Sequence, residues 1–473
     1  MNVLELTDIQ GYIIRGYAHM QYSKFVLFRT TNAVAAKQWL YRITGDITNA
    51  THVVDKTTLP PTHLNIAFTA KGLVAFGLGE ENVQTFNPEF REGMTTPHRR
   101  RILGDESSSA PELWNWGGPL NTELHGVLMI FGKDKSTCYD YYEKLKNEYA
   151  GFLEELLGMD GQTLPENKEH FGFRDGISQP IIKGSGKQGT AMNMINAGEF
   201  ILGYKNEYNV YPDSPLLKQV LGDANLLPSD AAGSGLKDLG RNSSYLVIRQ
   251  MQQDVEAFWT FMNEKTKNED GSLNTAESTK LAAKMVGRWP SGAPVTKFPD
   301  ADPGSVSDDN DFGYQEHDAD GTKCPLGSHL RRCNPRDSFE DDGKNESVRL
   351  SNRHRIIRRA RLYGDPFEGS PVNYTPGGEV GLLFNCFNAD ISRQFELIQY
   401  TWALSTKIKE LYNDPDPLIG VKEELLPGQE QNFTLQGCPV NKTIKGLQPF
   451  VRIKGGAYFF FPSITFLRYL TTV

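Results

Sequence analysis

The stretch Phe171–Pro180, reading FGFRDGISQP, sets one carboxylate, Asp175, between an arginine and a glycine, flanks it with aromatics and closes it with a proline. A carboxylate so placed serves either as a turn residue or as a proton-transfer group. What shares its surroundings decides between the two. His329 follows a Pro/Gly turn within Gly321–Arg336 (GTKCPLGSHLRRCNPR) and precedes a basic stretch. Arg358 lies in Arg355–Gly364 (RIIRRARLYG), where alternation puts Ile356, Arg358 and Ala360 on one face of a strand and Ile357 and Arg359 on the other. A cation that shares a face with small or apolar residues is costly unless it is paired or serves a site.

Two metal chemistries suit His329. Cys324, His329 and Cys333 are zinc-type ligands, but four and three intervening residues do not make a CxxC knuckle, and no fourth ligand is evident. A haem iron asks instead for one axial imidazole, an apolar pocket and cations for two propionates. Arg331, Arg332 and Arg336 adjoin His329 as candidate cations, and Leu382, Leu383, Phe384 and the run Tyr458–Phe461 are candidate walls. Such apolar runs equally describe ordinary sheet core.

The elements that must carry these groups come in two similar sets. Phe25–Thr30 reads as a buried strand leading into a helix over Asn32–Ile43; Tyr245–Arg249 and the helical spacing of Val255, Phe258, Trp259 and Met262 within Gln253–Met262 repeat that pattern. His125–Phe131 leads into a helix over Ser136–Tyr149, as Val380–Cys386 leads into one over Ile391–Leu404. Short strands with long spacing between units predict an α+β fold of two halves, each an antiparallel sheet with helices on one side. The Pro/Gly/Ser-rich stretch within 181–240 is the natural boundary, placing the domains at 1–215 and 216–473. A second irregular region, 289–327, runs directly into His329 and is long enough to be a functional loop.

With 473 residues, 38% hydrophobic and 23% charged, the chain is long enough for a substantial core and more than one domain. A net charge of −8 argues against a nucleic-acid partner. No apolar run has the length of a membrane span. The N-terminus shows no secretory or twin-arginine pattern, so the expectation is a cytoplasmic protein, or a secreted one if the chain starts at a mature terminus. Five cysteines (138, 324, 333, 386 and 438), odd in number and without CxxC spacing, read as reduced structural thiols.

Taken in order along the chain, these segments resemble the dye-decolourising peroxidases, and specifically their larger bacterial and fungal-like subgroup. The Phe171–Pro180 segment is similar to that family's GxxDG signature, Cys324–Arg336 to its proximal-histidine segment and Ile356–Gly364 to its distal-arginine segment. Gly455–Ser463 (GGAYFFFPS) resembles its C-terminal strand, and Asp8–Gly11 and Leu64–Leu73 are also similar.

The resemblance implies two ferredoxin-like domains of the dimeric α+β barrel type, with one haem b per chain between sheet and helices. The first domain would carry the aspartate motif, the second the proximal histidine and distal arginine. It implies Asp175 as distal acid/base, Arg358 as distal arginine and His329 as axial ligand. Arg336, Leu382, Phe384, Gly176 and Ile177 would contact the cofactor, the glycine by letting backbone approach a flat ring. A carboxylate behind the histidine falls to Asp416, with Asp390 as second choice. Tyr363 is the expected electron relay to the surface, ahead of Trp402 and Tyr400. The implied substrates are hydrogen peroxide and aromatic reductants including dyes and phenols, and the implied assembly is a monomer or homodimer. The chain stops ten residues after Ser463, which argues against an encapsulated cargo protein. A haem-handling protein on the same fold would need His329 but not both Asp175 and Arg358. With an aspartate (ordinary pKa about 3.9) in place of a histidine as base, dye oxidation should be fastest on the acid side of neutrality.

Overall fold

The computed structural model describes residues 3–51, 59–339, 343–365, 378–437 and 439–473. Eight strand positions close into an antiparallel barrel. Strands β1 (Tyr22–Thr30), β2 (Thr62–Phe68), β3 (Gly126–Gly132) and β4 (Leu153–Gln162) lie side by side in the order β4-β1-β3-β2. The second half contributes β5 (Ser244–Gln253), the interrupted pair β6 (Ile357–Arg358) and β7 (Arg361–Tyr363), β8 (Gly381–Asn388) and β9 (Val451–Phe461). There β7 pairs with β8, β8 with β5 and β5 with β9. Counted within each half, both orders are fourth-first-third-second, the βαββαβ order of a ferredoxin-like unit. The halves join at Leu362↔Gln162 and Phe460↔Phe68, so each half's fourth strand meets the other's second.

Closure follows from the period-two alternation of the strands. Phe25, Leu27, Met129, Phe131, Leu246, Ile248, Ile357, Leu383 and Phe459 point into the barrel and fill it. Their neighbours Val26, Leu128, Ile130, Val247 and Phe460 point outward into a second core. Helix α1 (Ala33–Ile43) packs there through Trp39 and Leu40, and α2 (Lys135–Tyr149) through Tyr142 and Leu145. Asn32 and Asp134 cap these helices by accepting from Ala35 and Thr137 N–H.

The second half departs from the sequence reading in two places. Helix α3 runs Val255–Thr266, because the Asp254 carboxylate caps it by accepting from Ala257 N–H at 3.0 Å, while Gln253 stays in β5 opposite Val451. Ser392–Glu396 and Ile398–Leu404 wind as π-helix, not α-helix. Such wide turns are rare and gather at functional sites. Here they bring Phe395, Ile398, Gln399 and Leu404 to a single cavity. Helix α4 (Thr275–Val286) is followed by the irregular 289–327 stretch, which buries Trp289, Val295, Phe312 and Tyr314 in a third core with α3.

That cavity lies outside the barrel, between the outer face of the second half's sheet and these helices. Arg358, Leu382, Phe384, Arg249 and Met251 face it, while Ile357, Leu383 and Ile248 on the same strands point into the barrel. Gly381 lets β8 lie close to β5: a Cβ there would sit 2.1 Å from the Met251 carbonyl oxygen. Among the described residues no helix is long and apolar enough to cross a membrane.

Candidate active site

His329 opens α5 (His329–Cys333), directly after the Pro325–Gly327 turn, with Ser328 as its N-cap. Its Nδ1–H donates to the Asp416 carboxylate at 2.9 and 3.1 Å. Asp416 is fully buried and also accepts from the Leu418 and Ile419 N–H groups at 2.9 and 3.1 Å. With Nδ1 held, Nε2 is the nitrogen left for a ligand in the cavity that His329 lines. Burial alone would lower the imidazole's pKa, but Asp416 and the Cys333 thiol outweigh it and raise it well above its ordinary value. Burial would raise Asp416, yet His329, Arg332 and the backbone donors hold it below the usual carboxylate range. Asp390 is elsewhere, paired with Arg393.

Asp175 reaches the cavity from the segment after β4. Trp259 Nε1–H donates to the Phe171 carbonyl, the Phe171 ring stacks on Phe258 at 4.4 Å, and Phe173 lies parallel to Trp259. Arg358 Nη1 donates to Asp175 Oδ1 at 3.0 Å, and both side chains remain about 30% exposed, at 27% and 30%. Burial pushes the Asp175 carboxyl up, but Arg358, the Gly176 N–H and His329 together hold it below its ordinary value. Gly176 sits at φ +81°, a conformation suited to glycine, where the chain turns away after Asp175.

One cavity therefore gathers Asp175, Arg358, His329, Ile177, Leu382 and Phe384. The remaining residues singled out in the sequence lie off it. Asp416 stands behind His329. Gly176 lines an adjoining cavity. Tyr363 lies on β7, its hydroxyl 3.2 Å from the Glu379 carboxylate. Trp402 is buried against His354, whereas Tyr400 is 56% exposed.

The three arginines that follow His329 do not line the cavity. Arg331 is tied to Asp318, Arg332 donates to the carbonyls of Trp402 and Asp414, and Arg336 stacks on Phe312 and donates to the carbonyls of Asn310 and Phe312. Arg336 keeps a buried Nε–H without a partner. Cys324 is also apart, its thiol on the Ser328 hydroxyl at 3.1 Å. Among the described residues, the possible metal ligands that cluster are His329, Cys333 and Asp416. The described cysteines are free thiols; Cys438 lies outside the described residues.

Two cavity residues carried no clear signal in the sequence. Arg355 is 4% exposed and hydrogen-bonds the Ser178 carbonyl at 3.3 Å. Burial, with Arg336 and Arg358 nearby and no described carboxylate beside it, lowers its pKa to about 9. Glu169 accepts from the Phe171 and Phe173 N–H groups, both at 2.9 Å, and so clamps the turn that delivers Asp175. Burial, reinforced by Asp175, pushes Glu169 up to about 7.

These features fit a haem. The donor set is a single imidazole with its far nitrogen fixed, facing a cavity walled by Phe173, Leu382, Phe384, Phe395, Ile398 and Leu418. Arg355 is a buried cation in need of an anion, as a propionate would be, and the Asn334 amide on the same wall has no partner at either end.

An α+β barrel with a cavity of this kind, a held imidazole and a carboxylate–guanidinium pair defines a haem peroxidase of the barrel class. Residues 8–165 match the family model described as the DyP dimeric alpha+beta barrel domain. The dye-decolorizing peroxidase msp1 of Mycetinis scorodonius is 29% identical, over 99% of this chain and 88% of that protein. The multifunctional dye peroxidase DyP2 of an Amycolatopsis species is 28% identical, over 98% and 96%. The crystal structure of the decolorizing peroxidase of Auricularia auricula-judae superposes with a TM-score of 0.79 at 26% identity, covering 99% of this chain and 100% of the other. Over nearly its whole length the chain is similar to dye-decolorizing peroxidases.

The Asp416–His329 contact leads to a direct test. Asp416→Asn should leave the fold intact but weaken haem retention by about 10–100-fold, read as loss of the Soret band on dilution. Retention at the wild-type level would mean that Asp416 does not support the ligand.

Proposed function

We propose that this chain is a peroxidase that uses hydrogen peroxide to oxidise dyes, phenols and related aromatics, with Asp175 moving the proton, Arg358 steadying charge and His329 as axial ligand. The 3.0 Å Asp175–Arg358 pair, in the cavity that His329 also lines, carries this reading. A haem-handling role needs the histidine and explains neither member of the pair. Haem b, one per chain, would be held by His329 with Arg355 as the cation for a propionate, and would supply one-electron redox chemistry. The division of the chain into halves is placed at 215/216, in the stretch joining β4 to β5.

Asp175 is ionised at rest, since Arg358, the Gly176 N–H and His329 together outweigh its burial. Its carboxylate accepts a proton from one peroxide oxygen and returns it to the other, acting first as base and then as acid. Arg358 Nη1 stays within hydrogen-bond reach of that carboxylate and presents fixed positive charge where negative charge develops. Glu169 and the Phe171–Phe258 stack hold the loop so that the carboxylate does not swing away. Leu382 and Phe384 exclude water from the same space.

The spectrum tests this first. Haem-loaded protein should show a Soret band that changes promptly on one equivalent of peroxide, and His329→Ala should lose the resting spectrum. Asp175→Asn should keep the resting band and react about 10²–10⁴-fold more slowly. A wild-type band indifferent to peroxide would overturn the proposal.

The pH dependence has a definite sign. Because the Asp175 pKa is lowered, its base form persists into acid, and the rate should fall only as pH drops through a value below about 3.9. Arg358→Leu removes the largest stabilising charge and should move that limb upward. A limb near 6.5, the histidine range, would contradict Asp175 as base.

Tyr363 is proposed as the relay to donors too large for the cavity. It stands five residues beyond Arg358 with its hydroxyl toward Glu379, a proton acceptor at the surface. Tyr363→Phe should slow bulky-dye turnover and leave small phenols unaffected; equal rates for both donors would remove Tyr363 from the route.

A further inference from the structure

A second cavity, of about 420 Å³, adjoins the first, with Ile177 lining both. This is at the small end of the roughly 300–1,000 Å³ of small-molecule sites, room for a single ring but not for a fused dye. Its apolar walls are mainly Ile14, Ile181, Ile182 and Ile357, and its charged members are Lys187 and Arg359; among the described residues no carboxylate lines it. In a chain of net charge −8, an acid-free pocket bearing two cations is unexpected.

Neither cation is neutralised by a described carboxylate. Arg359 donates to the carbonyls of Tyr12 and Ile13 at 3.1 and 2.8 Å, neutral acceptors that leave its charge uncompensated. Desolvation, Arg359 and Arg15 all lower the Lys187 pKa, and no acid offsets them. The Ser185 hydroxyl, also on the wall, is buried without a partner. Isoleucine walls, two converging cations and a spare hydroxyl donor together suit an anionic headgroup on a compact apolar body.

We propose that this cavity is a binding site for a small aromatic acid, one ring bearing a carboxylate or sulfonate. Its occupant would sit beside the distal pair. Gln179 lines the pocket and its side-chain oxygen accepts the Arg358 backbone N–H at 2.9 Å, while Gly176 and Ile177 continue the chain from Asp175. The described lining of this site includes neither His329 nor Asp175 nor Arg358.

Benzoate is the probe, titrated calorimetrically into haem-loaded full-length protein while the Soret band is followed. Binding should be saturable with no Soret shift, and Lys187→Glu should weaken it by about tenfold or more. Ser185→Ala should weaken it by about two- to tenfold, the worth of one neutral hydrogen bond. Lys187→Glu should leave turnover of a neutral small phenol unchanged, since Lys187 does not line the cavity that holds Asp175, Arg358 and His329. Absence of saturable binding would overturn the proposal, as would affinity that survives both substitutions. A Soret shift that tracks binding would place benzoate at the iron instead. Displacement by inorganic phosphate as effective as by a second aromatic acid would refute the aromatic class.

Discussion

Asp175 and Arg358 stand 183 residues apart in sequence and 3.0 Å apart in space, and much of the architecture serves that distance. The carboxylate comes from the segment leaving the first half of the barrel, the guanidinium from a two-residue strand of the second. An ion pair that is partly exposed at both ends contributes little stability by itself. Its geometry must therefore be imposed from outside, by closure of the barrel, the aromatic anchoring of Phe171 and Phe173, and the Glu169 clamp.

Each restraint acts on one partner. Closure through Leu362↔Gln162 brings the β6–β7 segment against the end of β4, from which the Asp175 segment departs. The side of the strand then decides the chemistry. Ile357 and Arg359 face away from the active cavity, so Arg358 between them faces into it. A one-residue slip in register against β8 would exchange those faces. Opposite this pair, His329 is fixed by a different device, a buried aspartate whose own charge is satisfied by two backbone donors and a nearby arginine.

Much of this was readable in the sequence. Alternation in RIIRRARLYG separates Arg358 from Ile357, the repeated strand–helix units announce two similar halves, and Asp416 was the carboxylate chosen for His329. What the sequence did not disclose depends on long-range packing. Arg331, Arg332 and Arg336 look available beside His329, but carbonyl groups and Asp318 from distant segments enclose them. Arg355 looks like one more member of a basic run, and only the fold leaves it buried without an acid. Periodicity likewise cannot distinguish α from π winding over 391–404, since both present an apolar stripe. Glu169 lies two residues before the signature, where a glutamate is ordinary until its oxygens are seen on the loop's own N–H groups.

The central claim is that Asp175 and Arg358 act on peroxide as one unit. The measurement that tests it most directly is a double-mutant cycle on the second-order rate constant for the Soret change with peroxide, using Asp175→Asn, Arg358→Leu and both together. Acting as one unit, the two single changes overlap, so the double variant should lose much less than the product of the single losses. Losses that multiply fully, so that the logarithms add, would contradict the account.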